Sequence, residues 1–226
     1  MVQSFRPIGG QQSLSEIAYK EIRSAIMQGR LQSGERLVFR TIAEEFGISP
    51  TPVRDAIQRL VSEGALVLDD RGVAHVPVID PVTYTEILNL RLQLEGNAAA
   101  ELASKISDDD PIIDTLTLTN ERLMQHKRDR NIELALQENE RFHSQVMQAA
   151  CMPILEGLVR SLWLRCGPSL RFIYEEEFVP LEVHPHVVLL EALKRRDPLA
   201  ARKAVEQDLQ YAGDYILKRI EATTNS

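Results

Sequence analysis

The hydrophobic period of the chain changes twice. From Ser13 to Gly64, apolar residues recur at three- and four-residue intervals in three short runs, each closed by a glycine. Ala18, Ile22, Ala25 and Ile26 form the first run, behind Ser13-Leu-Ser-Glu16, which has the spacing of a capping box. Ile42, Ala43 and Phe46 form the second, from Arg40 to Phe46, stopped by Gly47. Val53, Ile57, Leu60 and Val61 form the third, with Thr51 read as its N-cap and Pro52 as its first helical residue. The period then drops to two. Leu66–Leu68 and Val73–Val76 read as strands around the polar turn Asp69-Asp-Arg-Gly72. Beyond Pro77 and Pro81 the helical period returns and persists. It predicts six helices, over 83–106, 110–128, 131–150, 153–174, 181–196 and 198–222, broken at Asp108–Pro111, Pro153, Pro180 and Arg195–Pro198. Residues 1–12 are polar, contain Gly-Gly and show no period, and read as disordered.

Two short helices joined by a glycine turn of about four residues make a helix-turn-helix. A hairpin beside them makes it winged. The predicted fold class is therefore mainly α: a winged helix-turn-helix with a small hairpin wing over 13–78, then an all-α bundle of about six helices over 79–226. No fixed-period repeat and no glycine-rich phosphate loop interrupts this pattern.

Charge refines the division. The whole chain carries −7, yet residues 1–78 hold nine basic and nine acidic side chains, so the entire excess falls in the second part. An acidic second domain is repelled by phosphate. A neutral first domain must engage DNA through the placement of its arginines and not through a broad basic field. In the third helix Arg54 and Gln58, at i and i+4, project together, with Thr51 and Arg59 nearby. Arg40 opens the second helix, and Arg71 and Gly72 form the wing tip. Two cysteines, Cys151 and Cys166, are too few for a disulfide framework. No apolar run reaches signal-peptide or membrane-span length. The expectation is a soluble cytoplasmic protein with no membrane partner.

The bundle is most informative where polar residues break an inward stripe. Asn139 and His143 share a face with Ile132, Leu136, Val146 and Ala150. His186 lies with Leu189, Leu190 and Leu193, Asp208 with Val205 and Ala212, and Arg91 with Ile87, Leu94 and Ala98. Burying five such groups unpaired costs several kcal/mol each. Two imidazoles, a carboxylate and an amide oxygen suit a divalent ion such as Zn²⁺, Ni²⁺ or Mn²⁺, leaving Arg91 to grip an acid. Alternatively the groups bond one another or line a wet cavity. His184 reads as surface, Trp163 as core, His75 as packed or solvated, and Arg165 as a second pocket candidate.

The motif order resembles a known family. Gly34-Glu-Arg-Leu, Arg40-Thr-Ile-Ala-Glu-Glu-Phe-Gly-Ile-Ser, Thr51-Pro-Val-Arg-Asp-Ala-Ile-Gln-Arg-Leu, Glu63-Gly-Ala-Leu and Arg71-Gly together resemble the DNA-binding domain of GntR-type bacterial transcription regulators. The resemblance implies DNA contacts by Arg40 and Arg54. Pro50 stands where the family usually has an arginine, and Val38 where many members have a serine cap. Arg91-Leu-Gln-Leu-Glu-Gly96 and Asn139-Glu-Arg-Phe-His143 resemble the FCD ligand-binding domain of the FadR branch. That domain's usual metal set is one aspartate and three histidines. By motif, Asn139 falls at the aspartate, His143 and His186 at two histidines, and Asp208 at the third, so the set keeps one negative charge.

The implied protein is a ligand-responsive regulator, most simply a repressor. It would bind a palindromic double-stranded operator as a homodimer and sense a small organic acid beside a divalent metal. Two other classes compete: a metal-dependent hydrolase with a DNA-binding appendage, and an architectural DNA binder without effector. A regulator whose polar pocket binds no metal is the remaining variant. The chain has no His-Glu-x-x-His motif to favour the hydrolase, and the polar interior counts against the architectural binder.

Overall fold

A computed structural model describes residues 13–107, 109–174, 178–179 and 181–224. The expected disordered segment 1–12 and the breaks at Asp108 and Pro180 lie outside these residues.

The first helix, α1 (Leu14–Met27), starts as its sequence dictates: the Ser13 hydroxyl accepts from the Glu16 backbone N–H at 3.2 Å. Helix α2 (Phe39–Phe46) stops at Gly47, which takes the left-handed conformation at φ 65°. Helix α3 (Pro50–Ser62) begins earlier than the sequence reading placed it. Ser49, not Thr51, is the N-cap residue, because Pro50 already supplies a helical φ. The Ser49 side chain makes no capping bond. The third helical position, whose backbone N–H would donate to such a cap, is Pro52 and has none. Thr51 is thereby moved into the first turn, exposed.

The wing has three strands and not two. β1 (Arg36–Leu37), β2 (Val67–Leu68) and β3 (Ala74–His75) form an antiparallel sheet in the order β1-β3-β2. Leu37 and Leu68 both stand opposite Ala74. A two-residue strand inside a connection offers no period to read, so β1 escaped the sequence pattern. The wing turn is held by Asp69, whose Oδ1 accepts from the backbone N–H groups of Arg71 and Val73, both at 2.9 Å. The Val73 bond leads in holding the Asp69 carboxyl below its usual range. His75 joins from β3, its Nε2 3.2 Å from Asp69 Oδ2.

The second domain contains α4 (Pro81–Lys105), α5 (Ile112–Arg128), α6 (Ile132–Ala149), α7 (Pro153–Cys166), α8 (Pro185–Lys194) and α9 (Pro198–Thr224). The expected helix 153–174 divides: α7 ends at Cys166 and a 3-10 segment runs from Gly167 to Tyr174. Pro168 has no N–H to continue the α-helical ladder. The expected helix 181–196 is shorter, because Pro185 fixes its first turn and His184 becomes its cap. Helix α4 lies along α9, α5 along α6 and α8 along α9. The α4–α9 approach requires Gly213, where a Cβ would stand 2.6 Å from Leu88 Cδ2.

One continuous hydrophobic cluster runs through both domains. At the junction, Gly167 admits Met27 and Ile26, and Arg171 Nη1 donates to the Gly29 carbonyl at 3.2 Å. Arg23 pairs with Glu140 at 2.6 Å. Among the described residues, no helix is long and apolar enough to cross a membrane.

Candidate functional site

The winged helix presents one polar face. Arg40 on α2 and Thr51, Arg54 and Gln58 on α3 are all exposed, as are Arg71 and Gly72 at the wing tip, where Gly72 takes φ 75°. Arg54 lies with its guanidinium 5.9 Å from the Phe39 ring. Arg59 departs from the expected set. Its Nη1 lies 2.8 Å from Glu16, its Nε 3.2 Å from Glu63, and its guanidinium stacks 3.6 Å over the Tyr19 ring. Tyr19 in turn donates to Glu63 at 2.8 Å. Arg59 therefore ties α3 to α1, and its charge is already matched.

The bundle interior holds the second cluster. His143 from α6, His186 from α8 and Asp208 from α9 each direct a ligand atom to one place, all within 4.8 Å of one another. His143 Nε2 lies 3.2 Å and His186 Nε2 3.7 Å from Asp208 Oδ2. Neither approach is aligned as a hydrogen bond, and both Nε2 atoms are buried without a hydrogen-bond partner. The opposite ring nitrogens each face an oxygen, the first in a hydrogen bond and the second at ion-pair distance. His186 Nδ1 donates to Asn120 Oδ1 at 3.1 Å, and His143 Nδ1 stands 2.9 Å from Glu95 Oε2. Asn139, one turn before His143, lines the same cavity, which measures about 60 Å³.

Glu95 is the residue the sequence reading passed over. It is buried, and its Oε1 accepts from Arg91 Nε at 2.7 Å and from Trp163 Nε1 at 3.0 Å. Burial by itself would raise the Glu95 carboxyl, but Arg91 and then His143 outweigh it and hold it at about 2. Burial likewise works to lower His143, yet its contacts with Asp208 and Glu95 push it up to about 9. Asp208 stays well below the usual carboxylate range because the two histidines outweigh its burial. His186 is lowered, mainly by burial. Arg91 reaches the cavity, but its Nε edge faces Glu95 and its guanidinium lies 4.1 Å from the Trp163 ring.

Two further expectations change. Arg165 does not line the cavity; it is exposed on α7, where its guanidinium crowds Gly64 at the end of α3. Arg165 and Trp163 are two positions apart and point to different sides of α7, Trp163 inward. His184, read as surface, lines the cavity, and its ring meets His186 edge-on at 4.5 Å. Burial leads in lowering it to about 3, helped by His186 and Lys127.

The chemistry of the donor set fits a divalent metal. A divalent ion would displace the proton that Asp208 and Glu95 hold on His143; the two imidazoles would then offer bare Nε2 atoms, with one carboxylate facing them and an oxygen behind each ring. A winged helix-turn-helix joined to a helical bundle with a polar interior is the architecture of a two-domain transcription regulator.

Comparison with known proteins agrees. Residues 14–76 match the model of bacterial regulatory proteins of the gntR family, and residues 86–211 match the FCD domain. The HTH-type transcriptional regulator McbR of Escherichia coli (strain K12) is 31% identical over 202 residues, covering 88% of this chain and 90% of that protein. The gluconate operon transcriptional repressor of Bacillus subtilis (strain 168) is 25% identical over 210 residues, covering 88% and 83%. Among solved structures, E. coli McbR/YncC superposes with a TM-score of 0.83 at 28% identity, over 92% of this chain and 99% of that one. A putative transcriptional regulator GntR from Rhodococcus sp. RHA1 shares the fold, with a TM-score of 0.75 at 19% identity, over 92% and 99%. The chain belongs to the GntR family, and its second domain is an FCD domain. It is a DNA-binding transcriptional regulator.

Proposed function

We propose that this regulator is a ligand-responsive repressor. It binds a palindromic operator as a homodimer through Arg40, Thr51, Arg54 and Gln58, with Arg71 and Gly72 in the wing. Its bundle holds a divalent ion, Zn²⁺, Ni²⁺ or Mn²⁺, through His143, His186 and Asp208 with Asn139, and takes a small organic acid beside it. The observation that carries the metal is the pair of buried, unpartnered Nε2 atoms facing Asp208 while their Nδ1 atoms face Asn120 and Glu95. A bound ion supplies a Lewis-acid seat for a carboxylate. The protein's own residues do the rest: Glu95 and Asn120 fix the two rings, and Arg91 both anchors Glu95 and offers its remaining edge to the acid. The repressor sign follows the relative named as the gluconate operon repressor. The dimer has surface available on α7, where Ile154 and Leu158 are exposed about the bare Gly157.

Acid binding controls DNA affinity only if the acid binds the two conformers of the protein unequally. The test is metal content of the purified protein with operator binding measured with and without a panel of carboxylic acids. Stoichiometric metal lost in His143→Ala, together with operator release by an acid, supports the reading. Metal-free protein whose His143→Ala variant melts like wild type overturns it.

A further inference from the structure

We infer that α7 and the 3-10 segment after it carry the state of the bundle cavity to the winged head, with Arg165 and Arg171 as the two points of contact. This inference rests on the reading that the cavity is occupied, and adds how occupancy reaches the DNA-binding helix.

The run from Trp163 to Ile173 has two sides. Trp163, Leu170 and Ile173 line the cavity, and Trp163 also donates to Glu95, behind His143, at 3.0 Å. Residues between them meet the head. Leu164 walls a crevice of about 140 Å³ with Tyr19, Arg23 and Glu63. Arg165 packs on Gly64, where a Cβ would stand 2.9 Å from its Cζ. A Cβ on Gly167 would stand 3.3 Å from Met27 Sδ. Arg171 Nη1 donates to the Gly29 carbonyl at 3.2 Å, and its Cβ lies 3.6 Å from where a Gly29 Cβ would be.

Gly29 and Gly64 hold equivalent places. Each stands one residue past the C-cap of its helix, α1 or α3, at φ 66° and 75°. Helix C-termini present unpaired carbonyls and the negative end of the helix dipole, which suits a guanidinium. Two arginines of one segment therefore seat against the ends of two head helices. One of those helices, α3, carries Thr51, Arg54 and Gln58.

The part that can move is the 3-10 segment. It runs for eight residues, where such runs rarely exceed three or four. Pro168 withholds a backbone N–H, and the buried Ser169 hydroxyl donates to the Cys166 carbonyl at 2.6 Å, at the end of α7. An α-helix of the same residues is shorter by about 0.5 Å per residue. Leu170 touches the cavity and its neighbour Arg171 touches Gly29, so rewinding displaces both together. An occupant that favours one winding thereby favours one seating of α1 and α3. Helix α6 offers the competing contact, since Glu140, beside Asn139, pairs with Arg23 at 2.6 Å. That pair acts on α1, whereas the arginines reach both helices.

The experiment is hydrogen–deuterium exchange of the full chain with and without Zn²⁺ alone. In wild type, Zn²⁺ is expected to slow the amides around His143 and His186. It should also change exchange at the ends of α1 and α3, beside Gly29 and Gly64, by about fivefold or more. With Arg165→Met and Arg171→Met together, the bundle response should remain and the head response should vanish. Arg171→Lys, which keeps the charge and guards against a misfolded double variant, should retain the head response, as should Glu140→Gln. A head response that survives in the double variant, or that Glu140→Gln abolishes, overturns the inference. So does a bundle response with a silent head in wild type. A second arm needs no ion. Leu170→Ala trims the cavity wall and should change head exchange in the wild-type background but not beside the two arginine replacements. No change in either background, or the same change in both, overturns the inference. If Zn²⁺ affects no amide, the metal reading fails and the Leu170→Ala arm decides the coupling by itself.

Discussion

Glu95 Oε2 stands 2.9 Å from His143 Nδ1, on the side of the ring opposite Asp208. The same carboxylate binds Arg91 and Trp163, so one buried acid links α4, α6 and α7 behind the candidate metal centre. Outer carboxylates of this kind typically change metal affinity by about 10–100-fold. Glu95→Gln keeps the volume and removes the charge. It is expected to weaken Zn²⁺ binding within that range in a chelator-competition titration. Unchanged affinity would show that His143 needs no orientation from Glu95.

Metal should also stabilise the fold. A ligand held at a hundred times its Kd adds about 2.7 kcal/mol to the native state. Wild type stripped by chelator should melt lower than protein with added Zn²⁺, and His186→Ala should melt at the same temperature with and without the ion. A metal-dependent shift that survives in His186→Ala would move the site elsewhere.

Arg54 and Arg59 separate a reading residue from a bracing one. Arg54→Ala should weaken operator binding at ~150 mM salt by about 1–3 kcal/mol, the range of an arginine–base pair. Arg59→Ala should leave operator affinity near wild type and lower the unfolding midpoint, since it releases Glu16, Glu63 and the Tyr19 ring. The opposite pattern in gel-shift and denaturation measurements would return Arg59 to the DNA face.

Gly213→Ala tests the α4–α9 contact. A methyl 2.6 Å from Leu88 Cδ2 must displace a buried side chain, at a cost of about 1–3 kcal/mol in urea unfolding. Adding Leu88→Ala should make the glycine replacement nearly neutral. If Gly213→Ala is neutral alone, the helices are free to part.

The fold was largely legible because its punctuation is local. Ser13, Gly47, Gly64 and Pro198 act within a turn of where they stand. The misplaced start of α3 is local too: two prolines at Pro50 and Pro52 compete to open one helix, and the first one does. Site residues depend on partners far along the chain. Arg59 looked like a DNA contact because Glu16, 43 positions away, is invisible to a helical period. Glu95 meets Trp163 across 68 positions. The i,i+4 spacing of Arg91 and Glu95 was nevertheless a readable sign that the arginine had a partner. His184 could have been found from the triplet His184-Pro185-His186, since a residue before a helix-starting proline tends to be a cap and its side chain turns back to the helix.

The single tryptophan of the chain stands in the wall of the cavity, against Arg91 at 4.1 Å and His143 at 5.2 Å, with its N–H on Glu95. The winged head therefore contributes no tryptophan emission, and the wall of the bundle cavity contributes all of it. Intrinsic emission excited at the red edge reports this cavity alone, without a label, and a protonated imidazole is expected to quench it differently from a metal-bound one. Occupancy of the bundle can be followed in the presence of operator DNA, which absorbs elsewhere, so the order in which ion, acid and DNA engage is open to direct observation.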